Sequence, residues 1–421
     1  MTIESRFGTH YNPTQAMKRK APLVIIFVTL FLDLLGFGMI LPILPFYAES
    51  FGANAFEIGL LSASFSLMQF LFAPFWGRIS DRVGRRPIIL MSLLGSSVSL
   101  LLFGIASSLT MLFVARIFAG IFMANLSAAQ AYIADVTPPE ERAKGMGLVG
   151  AAFGLGFIFG PTFGGLLSAK GLSFPAYVAS GLALLNFIGA YFLLPESRSK
   201  EAINHSRYHK RLSAFDWHQF RKAIFHPLVG LFLVLFFFIT LAFANLEATF
   251  ALMTERNFHY NAQDNGYLFA YIGILVAIVQ GGLIGPLTRR YGEGRLLTAG
   301  LIMQAVGFLF LPYLHSLPPM LIMLGLVAVG NGLSNPSLQS LISRNTHEDQ
   351  QGGVLGVSQS MGSLARVLGP AWGGWFFDWL GVPAPYWSGG ILLFLCAGLS
   401  YYAVVNLQKN LAAQEAAAVS E

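Results

Sequence analysis

Four ionisable residues stand inside long apolar stretches of this sequence: Asp33, Arg116, Glu247 and Arg366. A charge is costly in a membrane unless it faces an aqueous cavity or an opposite charge, so such residues mark candidate functional sites. At about 1.5 Å per helical residue, Asp33 and Arg116 reach nearly the same depth in a hydrocarbon core about 30 Å thick. Glu247 and Arg366 both fall roughly 10 Å below the outer face by the same arithmetic.

These two pairs have the chemistry that proton coupling needs. A carboxyl group can carry a proton, and a neighbouring arginine stabilises its ionised form until the partners separate. We therefore predict proton coupling at Asp33, Arg116 and Glu247, with Arg366 as the candidate ion-pair partner of Glu247. The alternative for both pairs is a permanent ion pair that only holds helices together.

The elements that position these residues are membrane helices. The 421-residue chain is 55% hydrophobic and 11% charged, whereas soluble proteins contain about 25% charged residues. An apolar stretch of about 18 or more residues is long enough to cross the hydrocarbon core as a helix. We predict twelve such helices, numbered in chain order, at residues 21–47, 57–76, 88–107, 109–134, 145–168, 174–194, 227–253, 264–288, 296–315, 318–343, 353–377 and 383–406.

The basic residues predict the orientation, because cytoplasmic loops collect Lys and Arg. Placing the N-terminus in the cytoplasm puts 22 of the 26 Lys and Arg residues on that side. Both termini are then cytoplasmic, as tails at 1–20 and 407–421, and six-helix bundles at 21–194 and 227–406 flank a linker at 195–226. The linker holds apolar residues at roughly helical spacing among basic ones, which predicts either a helix on the inner leaflet or a solvated linker.

The two halves of the chain repeat each other. Gly77–Arg86 (GRISDRVGRR) has a counterpart 208 residues later in Gly285–Arg295 (GPLTRRYGEGR). Gly160-Pro161 in helix 5 recurs 209 residues later as Gly369-Pro370 in helix 11. A duplicated six-helix unit predicts two pseudo-symmetric bundles around a central site, with transport by rocking one bundle against the other.

The loop between helices 2 and 3 resembles the signature loop of the major facilitator superfamily, and the resemblance extends from helix 1 to helix 12. The loop matches at Gly77, Asp81, Arg82, Gly84, Arg85 and Arg86. The resemblance implies a cytoplasmic latch that joins the halves in the outward-open state, with Asp81 against the start of helix 11 and Arg85 towards Asp135. Arginines that only set the topology are the alternative.

Helix 5 resembles the motif associated with the antiporters of this superfamily. The matching positions are Gly147, Gly156, Gly160, Pro161, Gly164 and Gly165. Small residues at four-residue spacing also serve ordinary close packing of helices, which is the alternative. Helix 1 around Asp33 resembles that of the drug/proton antiporters, including tetracycline exporters, and Arg116 with Gly120 resembles the family's helix 4 motif, which implies a role in proton transfer.

The cargo is less clearly indicated. The tetracycline exporters carry further acidic residues in helices 3 and 9, whereas helix 3 here has none and helix 9 offers only Gln304, so a tetracycline–metal complex is not expected. In this fold helices 1, 4, 7 and 10 face the cavity, and their candidate lining residues, each of which could instead serve packing, are Phe37, Phe122, Asn125, Gln130, Phe238, Asn245, Asn331, Asn335 and Gln339. Apolar, aromatic and amide groups suit a bulky amphipathic compound, cationic if Asp33 and Glu247 contribute.

We therefore predict an all-α membrane protein that exports small amphipathic, drug-like compounds by proton antiport. Export of a sugar, metabolite or lipid-like molecule is the alternative in the same class, and a scaffold or receptor without transport is a third interpretation. The single cysteine, Cys396, and the absence of hydrolase, zinc-protease and P-loop motifs predict no enzyme, metal or cofactor. The expected partners are a small-molecule substrate, protons and lipid, without nucleic acid, for a monomer in the plasma membrane, or the inner membrane of a Gram-negative bacterium.

Overall fold

The computed structural model describes residues 13–123, 126–137, 142–198, 221, 224–346 and 351–420. Most of the linker, including the predicted surface helix, and the candidate residue Asn125 lie outside these ranges. The helices of the first half are Pro13–Ile40 (helix 1), Ala55–Val83 (helix 2), Arg85–Gly104 (helix 3), Leu109–Phe122 with Leu126–Val136 (helix 4), Arg142–Ser168 (helix 5) and Phe174–Leu193 (helix 6).

The predicted outer end of helix 1 is wrong. The helix ends at Ile40, and after a turn the chain forms a separate short helix, Leu44–Glu49. Pro42 explains the break, because it has no N–H to donate and disfavours helical geometry in the residue before it. Pro45 lies at the start of the short helix, where a backbone N–H would have no partner within the helix, so a proline is tolerated there.

The second half repeats this arrangement. Its helices are Pro227–Phe258 (helix 7), Ala262–Tyr291 with a π-helical segment at Val279–Leu283 (helix 8), Glu293–Phe310 (helix 9), Leu317–Arg344 (helix 10), Gln351–Leu380 (helix 11) and Ala384–Ser420 (helix 12). The predicted tail at 407–421 is therefore helical as far as Ser420. Alanine and glutamine, both strong helix formers, continue the helix beyond the apolar stretch.

Eleven helices in the described part of the chain are long and apolar enough to cross a membrane. Helix 11 is not among them, because seven glycines, three serines and two charged residues dilute its apolar character, but it packs within the same assembly. In the first half helix 1 packs on helix 5 and helix 3 on helix 6. In the second half helix 7 packs on helix 11 and helix 9 on helix 12, so the halves are related by a shift of six helices and the predicted fold is confirmed.

Two seams join the halves, helix 2 with helix 11 and helix 5 with helix 8, and both are closed towards the extracellular side. Gly165 and Gly266 touch backbone to backbone at the outer ends of helices 5 and 8. Gly147 and Gly281, towards the cytoplasmic ends of the same helices, have open space where a side chain would stand. The described conformation is therefore closed on the extracellular side.

Candidate transport site

Three of the four intramembrane charges form one group that spans both halves. Glu247 on helix 7 interacts electrostatically with Arg366 on helix 11 and, more weakly, with Arg116 on helix 4 of the other half. Glu247 and Arg366 are half-buried, and no ion pair within 4.0 Å joins them in the described part of the chain. One carboxylate therefore interacts at longer range with guanidinium groups of both halves.

Arg116 is the most enclosed member of this group. It is 5% exposed, and its guanidinium lies 4.4 Å from the centre of the Phe65 ring on helix 2. Its Nε atom is buried and has no hydrogen-bond acceptor among the described residues. A cation held over an aromatic face is stabilised by the ring quadrupole, which partly offsets the cost of burial.

Asp33 does not form the predicted close pair with Arg116. Its buried carboxylate accepts a hydrogen bond of 3.1 Å from Ser96 on helix 3, and no ion pair joins Asp33 to Arg116 in the part of the chain that the structure describes. Two residues at equal depth in the membrane need not face each other, because depth does not determine the direction in which a side chain leaves its helix. Ser96 can donate to an ionised carboxyl or accept from a protonated one, so it fits both states of Asp33.

Several candidate lining residues are half-buried, and their place in the cavity stays a prediction. Gln130 on helix 4 and Asn331, Asn335 and Gln339 on helix 10 are half-buried, and within the described residues no hydrogen bond engages their amides. The three helix 10 residues recur every four positions and so form one polar stripe. Phe37 and Phe238 are also half-buried, and Phe37 stacks on Phe65 with ring centres 5.2 Å apart.

Two predicted lining residues serve packing instead. Asn245 is 1% exposed and donates a 2.7 Å hydrogen bond to the carbonyl of Pro385, so it ties helix 7 to helix 12. Phe122 fills the space beside Gly95 on helix 3 and stacks near Trp76, so it packs inside its own bundle. Helical position alone could not separate these residues from those facing the cavity.

The signature loop is held by a network inside the first half. Arg85 pairs with Asp81 at 2.8 Å and with Asp135 at 3.2 Å. Arg86 donates to the carbonyls of Leu194 and Tyr191. The loop therefore connects the cytoplasmic ends of helices 2, 3, 4 and 6 into one rigid corner.

Two further residues of this network were missed by the sequence analysis. Glu196 accepts hydrogen bonds from the backbone N–H groups of Arg85 and Arg86 and so caps the start of helix 3. Arg198 lies 3.7 Å from the carboxylate of Asp81. A lone acid and a lone base after helix 6 carry no distinctive pattern, and the predicted contact between Asp81 and helix 11 stays a prediction for the outward-open state.

Two glycines of the loop have clear structural roles. Gly84 adopts φ +104, a conformation that other residues rarely adopt, and the carboxylate of Glu196 occupies the space beside its Cα. Gly77 packs against Ser127 of helix 4. Arg82 is exposed at the cytoplasmic surface.

The glycines of helix 5 bring three helices into close contact. Gly156, Gly160 and Gly164 lie against the backbone or Cβ atoms of helix 1, and Gly165 lies against helix 8. Gly160 packs directly against Gly38. Pro161 is buried within helix 5, and Gly147 makes no such contact. Close packing accounts for four of the five glycines, and the antiporter role of the motif stays a prediction.

A second charged cluster lies on the extracellular side, around a cavity of about 560 Å³. The cavity is lined by Glu49, after helix 1, and by Glu255, Arg256 and His259 at the end of helix 7. The pKa of the Glu49 carboxyl is raised to about 7, mainly by burial and then by the charge and hydrogen bond of Glu255, while Arg256 opposes the shift. This cluster joins the two halves at a place that the sequence did not single out.

Comparisons with known proteins agree with this architecture. The sequence pattern of the Major Facilitator Superfamily matches residues 26–366 and 281–419. The chain is 35% identical to tetracycline resistance protein, class C, of Escherichia coli over 362 residues, which cover 84% of this chain and 89% of that protein. It is 30% identical to multidrug resistance protein 2 of Bacillus subtilis (strain 168) over 384 residues, which cover 91% of this chain and 95% of that protein.

Solved structures share the fold. The human organic anion transporter MFSD10 (TETRAN) is 25% identical and aligns with a TM-score of 0.68 over 91% of this chain and 99% of its own. A bacterial homologue of the human lysosomal transporter Spinster, in an inward-facing and unoccupied conformation, aligns with a TM-score of 0.75 over 93% of this chain and 98% of its own, at 16% identity.

Proposed function

Because the chain belongs to the major facilitator superfamily, we propose that it is a proton-coupled antiporter that exports small amphipathic compounds by alternating access. As a member of this family it is a multi-pass transporter of the cytoplasmic membrane, not an enzyme, and it requires no cofactor. It acts as a monomer in this proposal, since one chain supplies both bundles. The relatives named for tetracycline and multidrug resistance support efflux as the direction.

The observation that carries the proposal is the electrostatic interaction of Glu247 with Arg366 of its own half and with Arg116 of the other half. The ionised carboxylate attracts an arginine of the opposite half, and a proton on Glu247 removes that attraction. The free-energy difference between two conformations then depends on protonation, and about 1.4 kcal/mol is enough to change their ratio tenfold. This dependence is what couples proton movement to rocking of the bundles.

Asp33 is the second proton-binding group in the proposal. Ser96 provides a hydrogen bond in either protonation state. In the cytoplasm-open state, loss of the proton to the cytoplasm leaves the cavity ready for cargo. Cargo binding then favours the outward-open state, where the cargo leaves and an external proton binds.

The charges and the lining favour a neutral amphipathic cargo. The formal charges of the four intramembrane residues, Asp33, Glu247, Arg116 and Arg366, sum to zero. The cavity therefore has no net attraction for a cation. The half-buried phenylalanines offer apolar contact, and the amide stripe on helix 10 offers both hydrogen-bond donors and acceptors. Gln304, the residue of helix 9 that we considered for a tetracycline-like site, is buried and donates to Ser334 on helix 10.

The test is counterflow and pH-driven transport of labelled compounds in proteoliposomes. The panel contains neutral, cationic and anionic amphipathic compounds of similar size, together with a sugar, a metabolite and a lipid-like compound. We expect an imposed proton gradient to drive uphill transport of the neutral amphipathic compound, with proton movement in the opposite direction. Transport that does not depend on the proton gradient would reject antiport. Transport of the sugar alone would reject the proposed cargo.

An amphipathic organic anion is the second candidate cargo. The unpartnered Nε of Arg116 favours it, because a carboxylate or sulfonate could accept from that buried donor. The human relative described as an organic anion transporter supports the same reading. Preferential transport of the anion in the panel, reduced more by Arg116→Gln than transport of the neutral compound, would favour this candidate.

A further inference from the structure

Asp378, in the last turn of helix 11, binds the first turn of helix 2 in the other half. Its Oδ1 accepts a hydrogen bond of 3.2 Å from the N–H of Ala55, and its Oδ2 accepts one of 2.7 Å from the N–H of Phe56. The first N–H groups of a helix have no partner within the helix, and the helix dipole favours an anion at this end. A charged acceptor makes such hydrogen bonds stronger than a neutral one.

The rest of this helix start is capped from within its own half. The side chain of Asn54 accepts from the N–H of Glu57, and the side chain of Glu57 accepts from the N–H of Asn54. The N–H groups of Ala55 and Phe56 are therefore the ones that depend on Asp378. Helix 2 is fully capped only while the two halves meet on the extracellular side.

The backbones of the two helices touch beside this contact. A side chain at Gly374, one turn before Asp378, would collide with the carbonyl of Ala55, and a side chain at Gly59 would collide with the carbonyl of Pro370. The two glycines thus let the helices approach until the carboxylate reaches its donors. In a looser packing the carboxylate would reach water instead of both N–H groups.

The position of Asp378 within its own helix makes the contact specific to this conformation. A carboxylate near a helix C-terminus is disfavoured by the dipole of that helix, so Asp378 does not stabilise helix 11. When the outer side opens, the carboxylate stays at the unfavourable end of its own helix, and Ala55 and Phe56 lose their acceptor. The contact therefore contributes free energy to the outward-closed state alone.

We propose that Asp378 is an extracellular clasp, which binds the start of helix 2 while the outer side is closed and releases it when that side opens. It mirrors the cytoplasmic latch that the family resemblance implies, in which Asp81 at the end of helix 2 meets the start of helix 11. The two clasps act at opposite ends of one helix pair and stabilise opposite states. The proposal rests on alternating access and does not depend on the proposed cargo or proton coupling.

The test measures the outer opening directly in the purified full-length protein. Spin labels on cysteines introduced at Ser107 and Ser316, which are exposed in outer loops of the two halves, report the distance across the opening. The single native cysteine, Cys396, is buried and remains unlabelled. We expect Asp378→Ala to raise the ratio of long to short distances about two- to thirty-fold, which is the range for losing one carboxylate at a helix N-terminus.

Two further variants identify the cause. Asp264→Ala is the matched control, because Asp264 also caps the outer start of a helix, but its partner Asn261 belongs to the same half, so we expect no change. Asp81→Asn should shift the population towards the outward-closed state, opposite to Asp378→Ala. An equal shift in Asp264→Ala would show a general surface-charge effect and overturn the proposal.

Unchanged distances in a correctly folded Asp378→Ala protein also overturn it. If that variant does not fold, Asp378→Asn keeps the shape and one acceptor oxygen, and we expect a smaller shift in the same direction. The absence of a shift in this variant counts equally against the clasp. Distances that change as expected while the protein fails to transport any compound of the panel would reject the proposed function and leave the clasp intact.

Discussion

We expect the extracellular side to open as the pH rises, because of the carboxyl pair formed by Glu49 and Glu255. In the outward-closed structure the pKa of the Glu49 carboxyl is raised to about 7, first by burial and then by Glu255. When the halves part on this side, the two carboxyls separate and become hydrated, and Glu49 returns towards its ordinary pKa of 4.5. The closed state therefore holds a proton that the open state releases.

The sign and size of the effect follow from linkage. The closed state has the higher pKa, so its stabilisation is complete below pH 4.5 and is lost as the pH rises through about 7. Glu49 is half-buried, and water therefore screens part of the interaction. We expect the ratio of open to closed molecules to rise about tenfold between pH 5 and pH 8, which corresponds to about 1.4 kcal/mol.

The distance across the outer opening, measured at pH values from 5 to 8, tests this expectation. Glu49→Gln should remove most of the pH response, whereas Glu57→Gln, which removes a carboxylate used inside one half, should leave it intact. Arg256 and His259 line the same cavity, and Asp378 lies near the adjacent start of helix 2. A full response that survives Glu49→Gln would assign the titration to another group and refute our reasoning.

Three other changes test the transport site and the packing. Asp33→Asn should abolish proton-driven uphill transport in proteoliposomes while the protein still purifies as a folded monomer, and uphill transport at the normal rate would reject Asp33 as a proton site. Glu247→Gln and Arg366→Gln should each lower stability if the two residues form a structural pair, and the double variant should recover much of that loss in thermal unfolding. Additive losses would exclude the pair. Gly160→Ala should destabilise the protein by about 1 to 3 kcal/mol, because the added methyl group would collide with helix 1. Gly147→Ala is the control and should be close to neutral. Equal effects of the two substitutions in thermal unfolding would contradict this packing.

The fold could be predicted because its signals are long and repeated. About twenty consecutive apolar residues predict a membrane helix. Two sequence matches at nearly equal offsets revealed the duplication of the six-helix unit. Helix ends were less predictable, since Pro42 divides a run that hydropathy alone shows as continuous. The apolar pattern does not record where the backbone loses a hydrogen-bond donor.

The candidate site was predictable by residue type and less so by contact. Glu247 and Arg116 could be identified because a charge is costly in the membrane. The rise per residue gives only the depth of a side chain in the membrane. Arg116 was therefore assigned to Asp33 as its ion-pair partner, whereas it interacts with Glu247. Asn245 was expected in the cavity and instead bonds to the neighbouring helix. Contacts between helices depend on rotation about the helix axis, and a single sequence gives that rotation poorly when a helix is apolar on all sides.

The repeat also explains why the two carboxylate contacts at helix N-termini, those of Asp81 and Asp378, lie on one seam. By the offset of 209 that aligns Gly160 with Gly369, Asp378 corresponds to Ala169, and the position equivalent to Asp81 is Arg289. Helices 5 and 8 therefore lack counterparts of Asp81 and Asp378, and their outer ends meet through Gly165 and Gly266. Close backbone packing through glycines changes little with protonation, whereas the contact of a carboxylate with a helix N-terminus is formed or lost as a unit. We infer that helices 2 and 11 carry these two carboxylate contacts, in addition to the Glu49–Glu255 pair at the outer end of helix 7, while helices 5 and 8 provide the surface on which the two halves pivot.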